Sequence, residues 1–100
     1  MVQQRIQNAS EALKRAKEMD GDVFLGSFTM QEIERTGFDT SVFDPFSRVD
    51  VYLMWDGFEF VLKYIFDDDV LNPYYEKAHE IGSEEDVLEV VQEYLEVGGE

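Results

Sequence analysis

The chain contains no cysteine, which excludes a disulfide framework and a thiolate metal site. Long apolar runs are also missing, and none approaches the ~20 residues that a membrane-spanning helix needs. The segment from Met1 to Arg5 leads into a polar amphipathic stretch and does not have the apolar region of a secretion signal. Together these absences predict a cytoplasmic protein.

Residues suited to catalysis are equally scarce. His79 is the only histidine, and we expect its neighbours on a short helix to be Glu76 and Glu80. The Gly26-Ser27 pair lacks the rest of a nucleophile-elbow pattern. The seven glycines form no phosphate-binding loop. The sequence therefore predicts a non-enzymatic protein with no catalytic residue, no cofactor and no bound metal.

Basic residues are few, and their distribution is uneven. The chain holds 8 Lys and Arg against 23 Asp and Glu, a net charge of −15. Residues 1–50 carry six bases and nine acids, whereas residues 51–100 carry fourteen acids and only Lys63 and Lys77. Such an excess of negative charge repels nucleic acid and anionic lipid. Any partner is therefore expected to be a basic protein.

Apolar side chains, by contrast, are abundant. They make up 44% of the residues and include eight Phe. An acidic disordered tail lacks this content, because it cannot bury a core. At 100 residues the chain suffices for one small domain. We expect a single compact domain over residues 1–100 with an acidic surface.

Local patterns predict the first elements of the fold. Residues 3–19 carry apolar side chains at helical spacing. Residues 22–28 are rich in Val and Phe, which indicates a strand. Thr29 and Glu32 have the spacing of a capping box. That box predicts a second, two-turn helix that extends through Thr36.

The sharpest local signal is the Asp56-Gly57 pair, which is typical of a two-residue type I′ hairpin turn. It would join strands 48–55 and 58–66, with residue 55 opposite residue 58. In that register one face is entirely apolar, and a one-residue slip would mix apolar with polar side chains. The pattern therefore predicts this register and a core face. The residues of that face are Val49, Val51, Leu53, Trp55, Phe58, Phe60, Leu62 and Tyr64.

The last third of the chain is predicted to be helical. Asn72-Pro73 has the residue types of a helix cap and first position, which indicates a short helix over Tyr74–Glu80 closed by Gly82. Ser83 then caps the last helix, with Asp86 at the third position. The whole pattern predicts an α+β fold, in which about three antiparallel strands around hairpin 48–66 are covered by the N- and C-terminal helices. The apolar stripe of the last helix is Val87, Leu88, Val91, Tyr94 and Leu95.

The first candidate surface is a row of carboxylates on the last helix. No Lys or Arg lies in residues 83–100, although oppositely charged neighbours at i, i+4 would stabilise a solvated helix. Three interpretations are open: a solvated acidic face, a surface presented to a cationic partner, or pairing with the basic first helix within one chain or between two. The row consists of Glu85, Glu89, Glu93, Glu96 and Glu100.

Asp67, Asp68 and Asp69 form a second acidic cluster, with Glu76 and Glu80 further along the chain. Three adjacent Asp residues could gather a hard cation, but the calcium-loop pattern is absent. Successive side chains of an extended strand also point to opposite sides. We expect instead a charged strand end that blocks edge pairing, or a part of the acidic binding surface.

An aromatic loop over residues 38–47 is the third candidate. Phe38, Phe43 and Phe46 alternate there with acidic residues. One interpretation is that the rings plug the open end of the core. The other is that they form an aromatic anchor for a partner, since such anchors dominate the binding energy of interfaces.

These observations favour an acidic inhibitor or nucleic-acid mimic. A groove that binds nucleic acid is lined by Lys and Arg, so an acidic protein can occupy it. In size and charge the chain resembles phage-encoded anti-restriction and anti-CRISPR proteins and nuclease inhibitors. This resemblance implies a partner that is a nuclease or a component of a CRISPR or restriction system. It also implies the host cytoplasm as the location if the chain is phage-encoded. The expected partner-binding residues are Asp67, Asp68, Asp69, Glu76, Glu80, Glu85, Glu89, Glu93 and Glu96.

Two alternatives explain the charge without a nucleic-acid-related target. The first is a structural domain whose acidity is an adaptation to high salt, although the nearly balanced residues 1–50 count against a uniform coat of charge. The second is a homo-oligomer, most simply a homodimer, in which helix 3–19 of one copy meets helix 83–97 of another.

Overall fold

The computed structural model describes residues 9–18, 22–36, 41 and 43–98. The four strands form one antiparallel sheet in the order β1-β2-β3-β4, so each strand pairs with its neighbours in the chain. The predicted α+β fold with terminal helices is confirmed. The elements are α1 (Ala9–Glu18), β1 (Val23–Thr29), α2 (Met30–Glu34), β2 (Arg48–Trp55), β3 (Phe60–Phe66), β4 (Tyr74–Lys77), α3 (Ala78–Ile81) and α4 (Glu84–Gly98).

The core lies between one face of the sheet and the helices α1 and α4. Alternate residues of a strand share a face, so β2 and β3 each present a row of apolar side chains to the helices. The apolar stripes predicted for the two helices face this core where the structure describes them. Fully buried core residues include Ala12, Phe28, Ile33, Val49, Val51, Leu53, Leu62, Tyr64, Val87, Val91 and Tyr94.

The basic helix α1 packs against the acidic helix α4 within one chain. The backbone N–H of Ala9 donates to Gln92 Oε1 at 2.9 Å, while Lys17 Nζ lies 3.8 Å from Glu84 Oε1 at the other end of the seam. The two helices therefore run antiparallel. Lys17 Nζ also lies 5.0 Å from the centre of the Trp55 ring, which ties α1 to the hairpin by a cation–π contact. In the described part of the chain, no helix is long and apolar enough to cross a membrane.

The hairpin does not have the predicted register. Trp55 pairs with Phe60 instead of Phe58, and the connection is a four-residue loop over residues 56–59 instead of a two-residue turn. The cause is the side chain of Asp56, whose Oδ1 accepts hydrogen bonds from the backbone N–H groups of Phe58 and Glu59, each at 2.7 Å. An Asp that binds its own backbone in this way stabilises a longer turn.

The predicted core face survives this error. The true register differs from the predicted one by two residues, and a shift of two leaves every strand side chain on the same face. Phe58 is the exception, because it lies in the loop and is 87% exposed. The cross-strand partners change on the outer face: Tyr52 lies opposite Lys63, and Asp50 lies opposite Ile65.

The helix predicted over Tyr74–Glu80 is wrong in its first half. Residues Tyr74–Lys77 form β4 on the edge of β3, and only Ala78–Ile81 is helical. Asn72 does not act as a cap, because its Nδ2 donates to Asp69 at 3.3 Å. Adjacent tyrosines also favour a strand, in which their rings pack on the sheet surface. The predicted end of this short helix at Gly82 is confirmed.

The capping box of α2 is confirmed. Thr29 Oγ1 accepts from the N–H of Glu32 at 3.3 Å, and Glu32 Oε1 accepts from the N–H of Thr29 at 2.9 Å. The helix itself ends at Glu34, and Thr36 closes the following turn with a bond to the carbonyl of Ile33. The sequence also predicts that the first helix ends at Gly21 and the second at Gly37. These two glycines and the first residues of the N-terminal helix lie outside the described residues.

Candidate acidic cleft

Several of the predicted acidic residues line one cleft of about 370 Å³. It lies between β4, α3 and α4, with the turn after α2 at one side. Five of the described lining residues are carboxylates, and none of the described ones is Lys or Arg. We call this feature the acidic cleft. Its lining residues are Thr36, Glu76, Glu80, Ile81, Asp86, Glu89, Val90, Glu93 and Tyr94.

The start of α4 fixes one wall of the cleft. Asp86 Oδ2 accepts from the Ser83 N–H at 2.8 Å, and the Asp86 N–H donates to Ser83 Oγ at 3.3 Å. This reciprocal arrangement confirms the predicted cap at Ser83. The backbone and side-chain hydrogen bonds from Ser83 lower the pKa of Asp86. Asp86 was predicted only as a capping residue, so its place in the cleft was missed.

Glu89 and Glu93 lie on the exposed side of α4, four residues apart. The buried stripe of Val87, Val91 and Tyr94 turns them outward. Neither makes an ion pair with a described residue. Their charges therefore remain available to a partner.

The rest of the predicted row does not line the cleft. Glu85 and Glu96 are exposed but lie outside the residues that form its walls. Glu100 lies outside the described residues. The helical row is therefore split, with its middle part on the cleft and its described ends on open surface.

Glu76 and Glu80 form the opposite wall. Glu80 Oε2 accepts from the backbone N–H of Lys77 at 2.7 Å and so caps α3. Glu76 projects from β4 and is half-buried. Burial raises the pKa of Glu76, the neighbouring charge of Glu80 raises it further, and a hydrogen bond from Tyr64 opposes both effects. The fold therefore holds a negative charge on Glu76 at some cost.

Two buried tyrosines connect this wall to the core. The hydroxyls of Tyr64 and Tyr94 lie 2.9 Å apart, and Thr36 Oγ1 lies 3.2 Å from the Tyr94 hydroxyl. Burial raises the pKa of Tyr94 to about 12 and raises the pKa of Tyr64 as well. Both hydroxyls therefore keep their protons at neutral pH. The sequence predicted Tyr94 as a core residue but gave no sign of this network, which links residues far apart in the chain.

Replacing Glu76 with Gln is expected to raise the free energy of unfolding at pH 7 by about 0.3–1 kcal/mol, because the change removes the cost of burying a charge and the repulsion from Glu80. Gln keeps an oxygen that can accept from Tyr64. Because the folded pKa of Glu76 is raised, the folded state binds more protons than the unfolded state between the two pKa values, and wild-type stability falls as pH rises. The gain should therefore shrink below the unfolded pKa of ~4.3.

Urea unfolding at a series of pH values measures this difference. Glu85→Gln is the matched control, since it removes one exposed charge of α4 outside the cleft. An equal gain for the two variants, or a Glu76→Gln gain that persists at pH 3, would contradict the role given to Glu76.

The cluster Asp67, Asp68 and Asp69 does not belong to the cleft. Asp67 accepts from Ser47 Oγ at 2.8 Å and from the Arg48 N–H at 3.1 Å. Asp67 and Asp68 have φ values of 51° and 61°, a left-handed conformation that Asp tolerates in turns. They border a separate hollow of about 420 Å³, together with Arg48 and Asp50 of β2.

The cluster therefore forms the turn that follows β3 and bonds it to the start of β2. Among the described residues, no three His, Asp or Glu side chains come together in a way that could hold a metal ion.

The two described rings of the aromatic loop differ in burial. Phe43 is partly buried and stacks on Phe66 with 4.4 Å between ring centres, as expected for a ring that closes the core. Phe46 is 92% exposed, as expected for an anchor. Phe38 lies outside the described residues.

His79 does not pair with its predicted neighbours. Its Nδ1 lies 2.9 Å from Glu59 Oε1, and its backbone N–H donates to the same oxygen at 3.1 Å. These two hydrogen bonds, the backbone one first, lower the pKa of Glu59. The pair joins the hairpin loop to the start of α3 and lies outside the cleft lining.

Comparison with known proteins adds no assignment. No protein-family model matches the chain, and no match was found among curated proteins or solved structures. Function therefore has to be inferred from the charges and shape of the chain itself.

Proposed function

We propose that this protein binds a basic protein through the acidic cleft, and that it acts as a non-enzymatic inhibitor by occupying a surface that otherwise binds nucleic acid. One observation carries the proposal. Five carboxylates line a single cleft that has no Lys or Arg in its lining. A concave site of this charge suits Lys or Arg side chains that project from a partner, because a cation placed there is attracted by several carboxylates at once.

The local electrostatics support the same direction. Three effects set the pKa of Glu76: burial, the charge of Glu80 and the hydrogen bond from Tyr64. No described cation contributes. A cation from a partner would relieve the repulsion between Glu76 and Glu80. Binding would therefore replace an unfavourable interaction of the free protein with a favourable one.

The cleft chemistry supports binding better than catalysis. Its lining offers carboxylates and the hydroxyls of Thr36 and Tyr94, but no histidine. The partner class in this proposal is a nuclease or another protein that handles nucleic acid, including a CRISPR or restriction component. The proposed place of action is the cytoplasm, where such partners work.

A competition assay tests the proposal with a defined probe. An arginine-rich peptide is first bound to a fluorescent DNA duplex, and displacement of the DNA is followed by anisotropy as the protein is added. We expect displacement at low salt. Because peptide–DNA binding is itself salt-dependent, salt sensitivity is measured by titrating the labelled peptide with the protein alone. That binding should be lost at about 0.5 M salt, where the Debye length shrinks to a few Å. The double variant Glu89→Lys, Glu93→Lys turns two carboxylates of the cleft into cations. It should displace DNA about 10-fold less well, which corresponds to a loss of about 1.4 kcal/mol in binding free energy.

The matched control is Glu18→Lys, Glu34→Lys, which changes the net charge equally at exposed positions outside the cleft. It should lose much less activity than the cleft variant. Equal losses would show that total charge and not the cleft drives binding. Direct binding of the peptide that is insensitive to salt would refute the proposal as a whole.

A further inference from the structure

Three large apolar side chains project from one end of the sheet. Phe46 is 92% exposed, Leu71 86% and Val70 65%. Phe46 belongs to the loop before β2, and the other two belong to the loop between β3 and β4. We call Phe46, Val70 and Leu71 the apolar tip. Single exposed apolar residues are common on proteins, but a group of them marks an interaction surface.

Hydrogen bonds hold the two loops of the tip together. Asp67 at the end of β3 accepts from Ser47 and Arg48, the residues that follow Phe46. Within the first loop, Asp44 Oδ1 accepts from the N–H of Phe46 at 2.9 Å. The loops are thus braced by their own acidic side chains. Side chains held outward by a fixed backbone bind with a smaller loss of entropy than those on a free segment.

The charge around the tip selects its partner. Residues 43–48 and 67–73 contain four acids, Asp44, Asp67, Asp68 and Asp69, and one cation, Arg48. Anionic lipid and nucleic acid are repelled by this rim. A symmetric contact with a second copy would bring the same acidic residues face to face. A surface that is both apolar and cationic is complementary to the tip.

We propose that the apolar tip docks the apolar side of a basic amphipathic helix of the partner protein, while the acidic cleft takes the basic side chains that border this apolar side. This inference rests on the proposed function, since the partner is the same cationic protein. Leu71 and Glu76 are five residues apart, which is at most ~17 Å along an extended chain. A helix of about 14 residues is ~21 Å long and therefore reaches from the tip to the cleft.

Two synthetic peptides of about 14 residues, each long enough to span both sites as a helix, separate the tip from the cleft. The first combines Leu and Lys in an amphipathic helical pattern, and the second has the same Lys positions with Ser in place of every Leu. Calorimetric titration at low salt measures the affinity of the intact protein for each. We expect the Leu/Lys peptide to bind more tightly. The variant Phe46→Ser, Leu71→Ser should weaken that peptide by about 10-fold, since truncating a contact hot spot costs more than 1 kcal/mol.

The matched control is Phe58→Ser, which removes an equally exposed ring from the opposite end of the sheet. It should leave both affinities unchanged, and the tip variant should leave the Ser/Lys affinity unchanged. Equal binding of the Leu/Lys peptide by wild type and the tip variant would overturn the tip inference alone. Failure of wild type to bind the Ser/Lys peptide would count against the cleft proposal. A wild-type dimer that the tip variant converts to monomer would assign the tip to a second copy, and overturn the inference.

Discussion

Replacing Tyr94 with Ala is expected to lower the free energy of unfolding by about 3–5 kcal/mol, as for other large aromatic side chains removed from a core. Tyr94 is fully buried and packs against Phe28, with ring centres 5.2 Å apart. The substitution leaves a cavity between α4 and the sheet. Because small domains are stable by only about 5–15 kcal/mol, the variant should unfold at a much lower urea concentration.

Tyr94→Phe is the control that separates the ring from the hydroxyl. It keeps the packing and removes one partner of the buried Tyr64 hydroxyl, so a loss of about 1–3 kcal/mol is expected. If Tyr94→Ala and Tyr94→Phe were equally destabilising, the hydroxyl network would matter and the packing would not. A loss below ~1 kcal/mol for Tyr94→Ala would show that the core closes without this ring, contrary to the usual cost of such a cavity.

Replacing Gly82 with Ala is expected to give the second large loss of stability. Gly82 has a φ of 143°, and a side chain in this region costs about 1–3 kcal/mol. A Cβ at this position would also lie only 2.2 Å from Asp86 Oδ2. The carboxylate would have to leave its place, and the start of α4 would lose the hydrogen bond that the Ser83 N–H donates to it. Urea unfolding, with helix content followed by circular dichroism, measures the loss.

Gly57→Ala is the matched control for this clash. Gly57 also has a positive φ, of 92°, but a Cβ there has open space around it. It therefore carries the backbone strain without the collision. If Gly82→Ala costs no more than Gly57→Ala, Asp86 moves aside freely. Adding Asp86→Ala to both backgrounds tests this, because the clash predicts that the two substitutions at residues 82 and 86 are not additive.

The hairpin shows which part of a sheet can be predicted from sequence. Alternation of apolar and polar residues identified the core face of β2 and β3, since burial follows the period of the strand. The same alternation repeats every two residues, so it could not distinguish Trp55 opposite Phe58 from Trp55 opposite Phe60. The observed register is set by two short hydrogen bonds, which the backbone N–H groups of Phe58 and Glu59 donate to the Asp56 carboxylate. Such local geometry is not visible in an alternation pattern.

The segment that follows β3 shows the opposite case. Asn72-Pro73 is a sound helix-start signal. Tyr74–Lys77 is nevertheless a strand, because it pairs with the edge of β3. The Asn72 side chain donates a hydrogen bond to Asp69. Tertiary pairing thus overrode local propensity. The prediction that α4 begins after Ser83 succeeded, because the cap is made entirely between residues three positions apart.

The candidate site was predicted only in part for the same reason. The outward position of Glu89 and Glu93 follows from the helical period of α4. Their proximity to Glu76 and Glu80 depends on how α4 packs beside β4, which periodicity does not specify. Of the three residues of the apolar tip, only Phe46 was identified from the sequence as a candidate for binding. Val70 and Leu71 were missed because two apolar residues in a turn are as compatible with burial as with exposure.

The seam between α1 and α4 has a consequence for the order in which the chain folds. Each strand pairs with the next one along the chain, whereas Ala9 meets Gln92 across 83 positions. Closing a longer loop costs more entropy, so the sheet is expected to form first and the seam last. Contacts that form after the rate-limiting step affect the unfolding rate more than the folding rate. The α1–α4 seam would thus govern how long the folded protein lasts, and not how quickly it is reached.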